Sequence, residues 1–196
     1  VTLTADSTAA AADLKTINAA TSGIITATGV ATITGSISDV SDVLDVETSQ
    51  GNAGQPIDLD TNFTVTLSDT GNMAASTLNA LNAKVPGTLT VTNTVTLTGT
   101  AQAIAASATA DEAGTLVLAS NFGATVDEGS VAATDLTTIV GQTSATINAT
   151  AATILTGTAA EVVAAINDGQ VNHDDNFLVT LTADSTAAAA DLKTIN

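Results

Sequence analysis

Cysteine, tryptophan and tyrosine are missing from this 196-residue chain, and its aromatic side chains are three Phe. With no Cys and a single histidine, His173, neither a Cys/His zinc site nor a Cys–His dyad can be assembled. Positive charge is equally scarce: three Lys (Lys15, Lys84, Lys193) stand against 20 Asp and Glu, a formal charge of −17. Nothing here could neutralise phosphates, which excludes nucleic-acid binding, and the same charge repels anionic membrane surfaces. No apolar run is long enough to insert into a membrane. A compact globule of this size normally anchors its core on several large aromatics, and this chain has few to offer. It is nevertheless 44% apolar, mostly Ala, Val, Leu and Ile. Small side chains of this kind suit thin, regularly repeated layers, and their abundance argues against disorder.

Repetition is what the sequence does have. The first 18 residues, Val1 to Asn18 (VTLTADSTAAAADLKTIN), recur unchanged as Val179 to Asn196. The chain is therefore a window on a tandem array with a period of 178 residues (Val179 against Val1). Three diverged sub-repeats lie inside it. One marker is the pair Asn62-Phe63, Asn121-Phe122 and Asn176-Phe177. Another is a Leu followed 21 residues later by Gly, as in Leu14 to Gly35, Leu78 to Gly99 and Leu136 to Gly157. These markers divide the chain into sub-repeats at 1–61, 62–120 and 121–175, with 176–196 opening the next period.

Each sub-repeat divides again into strand-like and helix-like halves. From Asn62 the chain alternates through Leu67, breaks at Ser68-Asp69, then spaces Ala74, Leu78 and Leu81 as one helical face. Gly87 onward repeats the plan, with a break at Gly99-Thr100 before an Ala-rich helix; Gly35-Ser36 and Gly157-Thr158 are equivalent breaks. Ser or Thr at such a break is a helix N-cap signal. Bends are expected near Thr28-Gly29, Thr61-Asn62, Asn93 and Ser120-Asn121. The result is about six strand–turn–helix units of just under 30 residues per period. Units of that size bury their apolar faces on their neighbours, so the expected fold is α/β, a repetitive solenoid with parallel strand ladders and short helices. Six coils at the strand spacing would advance the axis by about 29 Å per period.

No catalytic constellation emerges. His173 with Asp174 and Asp175 reads as a polar loop before the Asn176-Phe177 strand, and no nucleophile elbow accompanies it. Turn carboxylates can ligate calcium, which takes six to eight oxygens. Asp58, Asp60, Asp174 and Asp175 are the candidate calcium ligands, and no EF-hand loop is present. The pairs Asp111-Glu112 and Asp127-Glu128 read as solvated acidic surface. Alternate threonines at Thr90, Thr92, Thr94, Thr96 and Thr98 read as the outward half of a strand. Asn62-Phe63-Thr64 and Asn148-Ala149-Thr150 match the glycosylation pattern but carry little weight in so Thr-rich a chain. Lys15 and Lys193 are equivalent surface residues, suited to pairing with a nearby Asp.

ADLKTINAATSGIITATGVATITGS (Ala12 to Ser36) and VTLSDTGNMAASTLNALNA (Val65 to Ala83) resemble repeats of very large cell-surface proteins of cyanobacteria and related bacteria. The resemblance implies secretion to the cell surface and work as an extracellular filament, surface layer or adhesin, with no catalytic residues to carry over. The expected function is thus structural and non-enzymatic. Its partners would be neighbouring repeats or identical subunits end to end. The alternative is an adhesin stalk or a repeat module that binds surface glycans or ice.

Overall fold

The computed structural model describes residues 1–3, 8–45, 57–182 and 187–195. Over the first sub-repeat the elements are β1 (Thr8–Ala10), α1 (Ala11–Ala20), β2 (Ile25–Ala27), β3 (Thr32–Gly35), α2 (Ile37–Asp45) and β4 (Ile57–Leu59). The second holds β5 (Thr64–Leu67), β6 (Gly71–Ala74), α3 (Ala75–Asn82), β7 (Leu89–Val91), β8 (Val95–Gly99), α4 (Ala101–Glu112) and β9 (Leu116–Val117). The third holds β10 (Gly123–Val126), β11 (Gly129–Ala132), α5 (Ala133–Val140), β12 (Ile147–Ala149), β13 (Ala152–Gly157), α6 (Ala159–Ile166) and β14 (Val171–His173). Then come β15 (Leu178–Leu181) and α7 (Ala189–Ile195). The fold is α/β, and every strand pairing among the described residues is parallel.

These residues form two compact units, each drawn from separated stretches of chain. The first takes Val1–Thr70, Ala80–Asn93 and Gly114–Leu118, and the second Gly71–Asn79, Thr94–Ala113 and Ala119–Asn196. In the first, a five-stranded sheet runs β1-β3-β5-β7-β9 beside the pair β2-β4. In the second, one sheet runs β14-β12-β10-β8-β6 and another β11-β13-β15. Register explains the cores. Ile33, Val65, Leu89 and Leu116 stack in line and are all buried in the first unit. Met73, Leu97, Ala124, Ile147 and Val171 form the equivalent row in the second. The adjacent row, on the opposite face of the pleat, is half-exposed Thr34, Thr66 and Thr90.

Three glycine-based corners position the even-numbered helices. The glycine of the Leu–Gly marker ends the strand before each even-numbered helix, with φ of 153° at Gly35, 137° at Gly99 and 156° at Gly157. Side chains rarely enter that region. At Gly157 a Cβ would also come to 3.3 Å from Ala133 Cβ and 3.1 Å from a Glu161 carboxylate oxygen. The hydroxyl of the next residue caps the helix. Thr100 accepts from the Ala103 amide at 3.2 Å, and Ser36 from the Asp39 amide at 3.1 Å. Thr158 and Glu161 form a full capping box. By contrast, α1 and α5 start from Ala10 and Ala132, which supply no side-chain cap.

Turns fall at Thr28-Gly29, Thr61-Asn62 and Ser120-Asn121, with a bend at Asn93, where the alternating pattern breaks. One expectation needs correction. Ala74 is exposed at the end of β6, and the buried helical stripe is Ala75, Leu78 and Leu81. The short strands β6 and β11, Gly-Asn-Met-Ala and Gly-Ser-Val-Ala, have no counterpart in the strand–turn–helix reading. Each of the second and third sub-repeats is one leading strand followed by two strand–helix–strand passes.

Gly157→Ala should destabilise the chain by about 1–3 kcal/mol through backbone strain and crowding against Ala133. Urea unfolding of this variant beside Ala160→Ser on the exposed face of α6 checks it, since the second change should move the midpoint little.

Candidate functional site: the edges of the leading strands

The leading strands β5, β10 and β15 are where one sub-repeat joins the next. β5 pairs along one edge with β3, which precedes α2, and along the other with β7, which comes after α3. β10 does the same between β8 and β12. The marker glycines fix this arrangement from the far side. Their carbonyls accept an amide at the end of each leading strand: Gly35 from Ser68 at 3.0 Å, Gly99 from Asp127 at 2.8 Å and Gly157 from Thr182 at 2.8 Å. The opposite edge of β5 is closed by Val65 donating to Thr88 at 3.0 Å and Thr92 donating to Leu67 at 3.2 Å.

The two identical segments each hold half of this arrangement. Among the described residues, the strand at 178–181 pairs along the first edge only, registering Leu178 to Leu181 against Ile154 to Gly157 of β13. At the other copy, Leu3 donates to Thr26 at 2.9 Å and Thr26 to Val1 at 2.7 Å, which is the second edge, toward β2. Successive amides of a strand point to opposite sides, so the copies use complementary halves of one hydrogen-bonding pattern.

The helices next to these strands differ in burial in the same way. Leu14 on α1 is 1% exposed and Ala11 is fully buried. Their counterparts on α7 are Leu192, 43% exposed, and Ala189, also exposed. α7 packs on the preceding α6 but lacks residues equivalent to 19–45, whereas α1 is succeeded by them and packs on α2. Identical sequence with opposite burial shows that the cover is supplied by residues on the C-terminal side of the helix. Charge behaves alike. Lys15 Nζ sits 2.7 Å from both Asp39 and Asp42 of α2, and Lys193 has no ion pair among the described residues. The Lys15 ammonium holds the Asp39 carboxyl below its ordinary value, helped by the Ser36 hydroxyl, and the two carboxylates raise Lys15 in turn. Lys84 pairs with Asp45 in the same unit.

The candidate chemical residues are placed elsewhere and do other work. Asp60 accepts the Asn62 amide at 2.9 Å and Asp174 the Asn176 amide at 3.1 Å, turns that lead into the Asn-Phe pairs. In the second sub-repeat Ala119 stands at that position and its carbonyl takes the Phe122 amide. Asp58 lies half-buried in β4 opposite Thr26, and Asp175 is fully exposed. Among the described residues no three His, Asp or Glu side chains gather as a metal site would require. The His173 ring lies edge-on to Phe177 at 5.2 Å, with its nitrogens 3.2 Å from the Ile166 carbonyl and 3.3 Å from that of Asp174. His173, expected in a loop, instead ends strand β14 and ties it to the end of α6. Of the Asn-Phe phenylalanines, Phe63 and Phe122 are buried and Phe177 is half-buried. Asn148, in the glycosylation pattern, accepts the Thr150 hydroxyl at 2.8 Å. A cavity of about 320 Å³ beside α1 is lined, among the described residues, by Thr2, Leu3, Asp13, Leu14, Ile17 and Val30. No helix among the described residues is long and apolar enough to cross a membrane. No protein-family model, curated protein or solved structure matches the chain.

Leu14→Ala should cost about 2–5 kcal/mol, whereas the same change at Leu192 should cost less than about 1 kcal/mol. Parallel urea titrations of the two variants make this comparison with sequence held constant.

The Lys15 pair has a defined pH window. Asp39, lowered in the fold, contributes above the ordinary carboxylate pKa and loses that contribution as pH falls through its folded value. Lys15, raised in the fold, contributes below the ordinary lysine pKa and loses it as pH rises through its folded value. The stability deficit of Lys15→Met should be flat from about pH 6 to 9 and shrink at both extremes. Thermal melts across that range read it directly.

Proposed function

We propose that the chain is part of a structural tandem-repeat protein whose units continue one another as a solenoid, in an extracellular filament, sheath or surface layer. The observation that carries this reading is the complementarity of the two identical segments. One has its first strand edge occupied, the other its second, and β5 has both occupied within a single unit. At α7 Leu192 is uncovered and Lys193 has no ion pair among the described residues; in the other copy, residues 19–45 meet both needs.

The work of such a protein is mechanical. Ladder hydrogen bonds succeed one another along the stacking direction, and each adds a modest net stabilisation of about 0.5–1.5 kcal/mol. Loss of one junction strand costs several such bonds together with its buried row. Acidic surfaces keep a long polymer soluble. Outward threonines partly satisfy themselves, as where the Thr92 hydroxyl donates to the Leu67 carbonyl at 2.9 Å, which leaves less for glycan or ice to recognise.

Recombinant chains of one, two and three periods test the proposal by cryo-electron microscopy. Rods whose length rises by a constant increment per period, with a spacing of about 4.8 Å along the long axis, are the expected result. Separate globules on a flexible string would overturn it, and glycan binding by such a string would favour the adhesin alternative.

A further inference from the structure

The residue after each marker leucine treats the following helix differently in each sub-repeat. Lys15, one place beyond Leu14, sets its ammonium 2.7 Å from both Asp39 and Asp42 of α2. Asn79, one place beyond Leu78, donates to the Ala103 carbonyl of α4 at 2.8 Å and accepts the Ser107 hydroxyl at 2.7 Å. Thr137, one place beyond Leu136, turns back on its own helix and donates to the Thr134 carbonyl at 2.9 Å. The receiving positions are equivalent as well. Counted from the marker glycines Gly35, Gly99 and Gly157, Asp39 aligns with Ala103 and Glu161, and Asp42 with Ala106 and Ala164. Val43 aligns with Ser107 and Ala165. We propose that this position is a neighbour selector: Lys15 fits a following helix with two carboxylates, Asn79 one with a buried hydroxyl, and their mismatch keeps diverged sub-repeats in order along the array. The inference rests on the stacking of repeats proposed above and adds which helix each one accepts.

Discrimination comes from the wrong pairings more than from the right ones. The side chains of Lys15 and Asp39 are each more than a third exposed, so their attraction is modest. Set against α4, however, the ammonium would meet Ala103 and Ala106 where α2 offers carboxylates, beside a Ser107 that is completely buried. Set against α2, Asn79 would face the fully buried Val43 and lose its hydroxyl partner, leaving a polar group unsatisfied. In a tandem array each helix has diverged competitors one sub-repeat away. The marker leucines are common to all of them and cannot tell them apart. A polar residue beside each leucine can, because its wrong pairings carry a penalty.

Hydrogen exchange at the α4 amides of the 196-residue chain reads the selector locally. Asn79→Ala removes the clasp and should speed that exchange by at least about fivefold. Asn79→Lys should speed it further, because a mismatch is added to the loss. Adding Ala103→Asp and Ala106→Asp supplies the α2 pattern, and should slow exchange at least about threefold relative to Asn79→Lys alone. That recovery should vanish in about 1 M sodium chloride, which shortens the reach of charges to about 3 Å. The native Asn79 clasp should keep its protection in the same salt. Thr137→Ala, where the side chain bonds to its own helix, should leave α6 unchanged.

Should Asn79→Lys disturb folding, the exposed pair supplies a second test. Lys15→Glu should speed exchange in α2 beyond Lys15→Ala, and Asp42→Lys added to it should reverse the excess. Exchange no faster in Asn79→Lys than in Asn79→Ala, with no recovery from the added carboxylates, would overturn the selector. So would a Lys15→Glu effect that Asp42→Lys fails to reverse. Multi-period rods seen alongside such a failure would leave the structural reading standing and remove only the selector. Separate globules with the expected exchange pattern would instead remove the array and confine the selector to pairing inside each sub-repeat.

Discussion

Every sub-repeat junction depends on one strand having a partner on each of its two edges. β5 and β10 meet that requirement inside the chain, each between a strand that precedes one helix and a strand that comes after another. A short strand with one partner has half its backbone groups unpaired, and its apolar row has neighbours on one side only. Three-residue and four-residue strands such as these have little stability alone. They persist because the next stretch of chain closes them. The contrast between Leu14 and Leu192 is the same constraint expressed in side-chain burial.

The corners allow the pattern to repeat. A glycine at positive φ, a capping hydroxyl and a short helix turn the chain at Gly35, Gly99 and Gly157, and each glycine's carbonyl then receives the next leading strand. One residue thus sets both the turn and the register of the junction, which explains why Leu and Gly keep their 21-residue spacing through three diverged sub-repeats. Side chains matter less at the surface of these units. In both units outward positions are filled largely by Thr or Asn, whose hydroxyls and amides bond locally, as Asn93 does to the carbonyls of Ser68 and Asp69.

Much of this was readable from the residues. The Val40, Val43 and Leu44 stripe of α2, the capping positions, the turns between paired short strands and the parallel α/β character all accord with spacing and composition. What escaped was the strand content of Gly71–Ala74 and Gly129–Ala132. Each is three small or polar residues and one larger apolar side chain, Met73 or Val131, too short to show an alternation. They are strands because a neighbouring strand, not their own sequence, holds them extended. The same ambiguity moved Ala74 onto a helical face it does not share. The candidate calcium ligands illustrate a different limit: two carboxylates close in sequence look like a site, while Asp60 and Asp174 use an oxygen to make a turn. Spacing cannot distinguish these uses, because both need a short acidic loop. The complementarity of the two identical segments is invisible in sequence, since the residues are the same and only their partners differ.

Cover for α1 is supplied by the residues C-terminal to it, and hydrogen exchange can watch the same cover arrive at α7. The chain to measure is one extended beyond Asn196 by a second copy of residues 19–45. Amides of α7 should exchange fast in the 196-residue chain and slow to the rates of α1 once the extension is present. Unchanged exchange in α7, with the added residues folded, would contradict this dependence.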